Sequence, residues 1–200
     1  MNWRNIPEDD FFLLARSYHL AAKRLAGTLD LDGGPIADFD AGPVLSMYRR
    51  AVELHLKVLV LGDGGNFLPT KPDELSVHKT RSLSWLAQFV IKIVTTLKWE
   101  DEFRAQGIED LSQFMAAVEE VNAIDPSFHA FRLPVRTDAP RPGQGDVRRA
   151  VREFTDRADA LIDLLASTAD ALAATWDLQR ETAVPGVDLD HRDDFEPTIQ

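Results

Sequence analysis

The sequence predicts an all-α fold: an antiparallel helical bundle of about five helices with a long C-terminal helix. Apolar residues recur at spacings of three and four in five separate stretches, and no convincing strand run is present. Gly- and Pro-rich segments fall between those stretches, where connections belong. The chain has 200 residues, 44% of them apolar, enough to bury one core.

The first helix is expected over about Glu8 to Leu25, where Phe11, Ala15, Tyr18, Ala22 and Leu25 alternate steps of four and three. A loop rich in Asp and Gly follows, from Gly27 to Gly42. The second helix has its start and stop written in. Pro43 suits the first helical position, and Gly62, with Asp63, Gly64 and Gly65 behind it, suits a left-handed cap.

After a loop through Pro69 and Pro72, Leu83 to Trp99 reads as a strongly apolar third helix. A fourth runs from about Glu109 to Ile124, with Leu111, Phe114, Met115, Val118 and Val121 on one face. The stretch from Asp125 to Gly145 carries Pro126, Pro134, Pro140 and Pro142, a density that ends helices and leaves extended backbone. The last helix, about Asp146 to Glu181, places Val147, Val151, Phe154, Ala158, Leu161, Leu165, Thr168 and Leu172 on a heptad seam. Residues 1–182 thus read as one helical-bundle domain, and residues 183–200 as an acidic, flexible tail.

The chain holds no cysteine, which excludes a disulfide framework and thiolate chemistry and fits a reducing compartment. The opening MNWRNIPEDD has no apolar h-region, so no signal peptide is expected, and no apolar stretch is long enough to span a membrane. A cytoplasmic protein is expected. The net charge of −11 argues against general coating of nucleic acid. Charge is unevenly placed, however. From Glu181 onward six acids face only Arg192, whereas Arg132 to Arg157 sets seven arginines against four acids. That segment is either a local basic surface or a solvated helix start with paired charges.

Most standard chemical signatures are missing. The histidines (His19, His55, His78, His129, His191) lie far apart with no HExxH, so neither a metal site nor a cofactor is expected. Gly62, Gly64 and Gly65 lack the lysine and hydroxyl of a phosphate loop. Ser76 and Lys79 match SxxK without its partner motifs. The pairs Asp9–Asp10 and Asp193–Asp194 sit at a helix start and in the tail.

The second helix differs. Arg49, Glu53 and Lys57 form a plus–minus–plus ladder at i, i+4 and i+8. Exposed, each pair is worth only ~0.3–0.5 kcal/mol and the ladder is a solvated face. Buried, it becomes a network gripping a neighbouring loop or substrate. Tyr48-Arg49-Arg50-x-x-Glu53-x-x-x-Lys57 resembles the YRHxxExxLK-like helix of HEPN-type proteins. His78, ahead of Leu83 and Trp85, sits where such proteins carry a histidine before a leucine-rich helix. Asp125-Pro126-Ser127-x-x-Ala130-Phe131-Arg132-x-Pro134 is similar to the aspartate-to-FRYP stretch of one uncharacterised bacterial branch. The resemblance spans about Pro43 to Pro134.

The resemblance implies an all-α bundle, often dimeric, and often encoded in bacterial defence or toxin–antitoxin settings. Active members look like metal-independent RNA endonucleases that use an Arg-x(4–6)-His motif. Histidine can take the ribose 2′-hydroxyl proton, and arginine can stabilise charge on the attacked phosphate. Here that spacing points to Arg49 or Arg50 with His55. Against it, five residues rotate Arg50 and His55 about 140° apart. His55 lies on the apolar side, where a hydrogen-bonded core histidine is expected, and no RNxxxH run opens a later helix. Arg132 either ties its loop back to a carboxylate such as Glu53 or contacts a phosphate beside His129 and Arg136.

The sequence therefore predicts a HEPN-like module, nucleic-acid-associated or defence-related and without established catalysis. Its polar centre would comprise Arg49, Glu53, Lys57, His78, Asp125 and Arg132. One alternative is a ribonuclease in which a homodimer joins two copies of Arg50 and His55. Another is a scaffold whose long helix and acidic tail hold a protein partner.

Overall fold

A computed structural model describes residues 8–31, 38–124 and 144–183 of the chain. Among these, six α-helices follow one another: α1 (Glu8–Leu31), α2 (Asp38–Leu61), α3 (Glu74–Lys79), α4 (Leu83–Leu97), α5 (Leu111–Asn122) and α6 (Gln144–Ala183). A 3-10 turn over Asp63–Phe67 follows α2. No strand occurs among the described residues, only an isolated bridge between Ala105 and Ile108. The fold is an all-α bundle closed by a 40-residue C-terminal helix. No described helix is long and apolar enough to cross a membrane. Asp125, Arg132 and the rest of their proline-rich stretch lie outside the described residues, as does the acidic tail from Pro185.

Residue pairs fix the direction of each helix. Phe12 meets His55 and His19 meets Tyr48, so α1 and α2 run antiparallel. Asn122 at the end of α5 bonds Leu83 and Ser84 at the start of α4, the same hairpin logic. Tyr48 meets Phe154, and Phe67 meets Trp176, so α2 and α6 run in the same direction. The α1–α2 and α4–α5 pairs are thus antiparallel, whereas the long closing helix lies parallel to α2.

The consequence for α2 is burial on every side. From Ala51 to Lys57 all seven residues are buried. Tyr48, Val52, Leu56 and Leu59 join one core with Leu86, Val90 and Ile93 of α4 and Leu161, Leu165 and Leu172 of α6. Leu54 packs on the opposite side with Phe11 and Ala15 of α1. Over these two turns the helix has no solvated face on which to lay its polar residues.

The start of α2 differs from the sequence expectation, whereas its stop at Gly62 agrees in place and differs only in geometry. Pro43 lies inside the helix, which begins at Asp38. Its missing N–H removes one hydrogen bond early in the helix, where the next turns still hold. Gly62 is not left-handed: its φ is −79°, and the chain tightens directly into the 3-10 turn. The glycines serve close approach instead. A Cβ on Gly64 would stand 2.2 Å from the Leu59 carbonyl oxygen and 3.1 Å from both Ile93 and Leu172. Only a bare backbone fits where α2, α4 and α6 converge.

The segment expected as a loop through Pro69 and Pro72 also contains α3. Six residues are too few to display a period. Its signal is the cap, in which Asp73 accepts from the Ser76 N–H at 2.8 Å.

Candidate functional site

Glu53 is the centre of the polar column on α2. Its carboxylate, 3% exposed, accepts from Arg50 at 2.5 Å and from the Lys57 ammonium at 2.8 Å. The Arg49 guanidinium stands 3.6 Å from its other oxygen. Arg49 and Lys57 also reach across to the end of α3 and its connection to α4. Arg49 donates to the Arg81 carbonyl at 2.6 Å, and Lys57 donates to the His78 carbonyl at 2.9 Å. Of the two sequence readings of the ladder, the buried one holds: the column grips a neighbouring loop.

Three cations share one carboxylate here, so the cluster carries excess positive charge. Burial pushes the Lys57 ammonium down from its ordinary pKa, the Glu53 hydrogen bond and charge oppose that, and nearby Arg50 and Arg81 add to the fall. Arg50 is the member that reaches water, its side chain 40% exposed. The end of α3 and its connection to α4 add exposed Lys79, with Asp73 near it, and exposed Arg81, whereas the His78 ring packs on Phe11 of α1 with ring centres 5.3 Å apart. A cationic surface therefore overlies a buried cationic base, on a chain that is acidic as a whole.

His55 lies on another face of α2. It is 3% exposed, and neither ring nitrogen has a hydrogen-bond partner. Phe12 of α1 covers it edge-on, with ring centres 6.2 Å apart. Burial, reinforced by the charge of His19, lowers its pKa to about 4. The sequence placed this ring in the core correctly, but the hydrogen bond expected for it is missing. Arg50 turns to Glu53 and is not gathered with His55. His55 would have to be uncovered before it could touch any substrate.

Of the predicted site residues, Arg49, Arg50, Glu53 and Lys57 thus meet at one cluster, which His78 joins through its backbone carbonyl. Asp125 and Arg132 lie outside the described residues. Of the basic stretch from Arg132, Arg157 is paired with Glu120 of α5 through its Nε at 2.8 Å.

A second polar cluster escaped sequence reasoning. Asp159 of α6 accepts from His19 of α1 at 2.5 Å and from the Tyr48 hydroxyl of α2 at 3.0 Å, with Lys23 at 3.3 Å. Burial raises the Asp159 pKa, but these hydrogen bonds and the Lys23 charge outweigh it and hold the carboxyl below its usual range. Burial and the adjoining carboxylate push the Tyr48 phenol well up. Asp159 thus joins three helices at one oxygen pair. One signal was available: a tyrosine on the apolar side of α2 needs an acceptor for its hydroxyl. Nothing in the sequence identified the acceptor 111 residues away.

Among the described residues no group of three or more His, Cys, Asp or Glu side chains could hold a metal ion. Comparison of the chain with family models, curated proteins and solved structures gives no match.

Proposed function

We propose that the chain is a HEPN-like, RNA-associated helical module that holds its ligand rather than cutting it. The observation carrying this reading is the charge balance around Glu53. One carboxylate serves Arg49, Arg50 and Lys57, and the cationic excess emerges at half-buried Arg50, with Lys79 and Arg81 exposed on the segment that the column grips. Such a surface suits the phosphates of a single RNA segment, which bind through cations and release counterions. The bacterial defence setting implied by the resemblance of α2 belongs to the same proposal. Holding is favoured over cutting because His55, the one histidine at nuclease spacing from Arg50, is enclosed beneath Phe12.

The test uses a labelled single-stranded RNA in EDTA, followed by anisotropy and by gel. The native chain should bind while the RNA stays intact. Replacing Arg50→Gln and Arg81→Gln together should weaken binding about tenfold, as two lost phosphate contacts would. The Arg81 main-chain tie to Arg49 survives that change and Lys57 still donates to Glu53, so the chain should stay folded with a melting temperature lowered only by the lost Arg50–Glu53 pair. Unchanged affinity would remove the surface from consideration. Cleavage in EDTA that disappears in His55→Ala would replace the holding module with a ribonuclease.

A further inference from the structure

A cleft of about 510 Å³ opens where the start of α1, the end of α2 and the middle of α6 meet. Its walls are mostly apolar, with Phe12, Val58, Leu61 and Leu172 among them. Ala169 and Ala173, four residues apart on α6, leave the gap by their small size. The volume lies within the range of sites for small organic ligands.

The charge at this cleft is one-sided. Lys57 reaches it, but its ammonium is held by Glu53 and the His78 carbonyl. Asp63 and Asp170 line the same cleft, and neither has an ion-pair partner among the described residues. The last turn of α2, which forms one wall, carries no basic residue, so the negative end of its dipole is unanswered. Two carboxylates and a helix C-terminus beside apolar walls complement a positive head on an apolar body.

We propose that this cleft binds a small organic cation of the alkyl- or arylalkylammonium class. Its apolar body lies between α1 and α6, and its ammonium is held by Asp63 and Asp170. This assignment does not rest on the RNA-associated reading, because it uses Asp63 and Asp170, which that reading leaves aside, and calls for a ligand of the opposite charge.

Calorimetric titration of the full chain at pH 7 with octylammonium, octanol and octanoate tests it. Octylammonium should bind saturably at one site, about tenfold tighter than octanol, with no measurable octanoate binding. The isosteric pair Asp63→Asn and Asp170→Asn should bring octylammonium down to the octanol level while helicity stays unchanged. Ala173→Leu should fill the cleft and weaken both ligands. Equal binding of octylammonium and octanol by the native chain would overturn the proposal. So would octylammonium binding that survives the two asparagines, or no binding at all.

Discussion

Glu53 and His55 stand two residues apart on α2, both buried, and their environments could hardly differ more. Glu53 is saturated with donors, whereas His55 has none. Removing Glu53 leaves the buried charges of Arg49 and Lys57 without the carboxylate that balances them, with only main-chain carbonyls beside them. Glu53→Ala should therefore lower the unfolding free energy by about 3–5 kcal/mol, read by urea denaturation. A loss below about 1 kcal/mol would mean that the column behaves as an exposed ladder. His55 gives a pH signature instead. The unfolded chain takes up a proton at this residue near pH 6.5, the folded chain only near 4, so acidification through that interval favours unfolding. The loss should total about 3 kcal/mol, and His55→Leu should abolish it. The variant should also be the more stable at pH 7.5, since two orphaned nitrogens leave the core. A profile unchanged by the substitution would place the imidazole in contact with water.

At the scale of elements, the long periodic helices were legible and the short or tightened ones were not. All five expected helices are present, because their apolar spacing runs over enough turns to define a face. Local chemistry at the ends was half right, since α2 stops directly before Gly62, though without a left-handed residue, but begins at Asp38 rather than at Pro43. Glycine at 62–65 signals a stop in sequence. In the fold, Gly64 is a contact point pressed onto the Leu59 carbonyl, Ile93 and Leu172. Gly64→Ala should accordingly destabilise by about 2–3 kcal/mol through forced displacement of the 3-10 turn, seen as a lowered thermal midpoint. An unchanged midpoint would mean that the turn can move freely away from α4 and α6. The grip of α2 on the α3–α4 connection was half legible. The ladder of Arg49, Glu53 and Lys57 announced a network, but its acceptors at His78 and Arg81 are main-chain carbonyls, which carry no side-chain signature.

Across the whole molecule, the groups that hold distant helices together come from far apart in sequence. Asp159 joins α6 to His19 and Tyr48 across 140 and 111 residues, a pairing no local pattern records. Its carboxyl, held below its usual range, should add to acid lability below the interval governed by His55, as that carboxylate finally protonates. Charge too has to be read on the scale of the molecule. A net of −11 repels phosphate on average, and the cations gathered around Glu53 are a local exception to it. An RNA segment held there as proposed would place few phosphates against these cations, which would set the salt dependence. The most direct test of the account is the slope of log affinity against log salt concentration for a short single-stranded RNA. About three phosphate contacts predict a slope near −2, at roughly −0.7 per contact. A slope near zero, or no binding at low salt, would contradict the account.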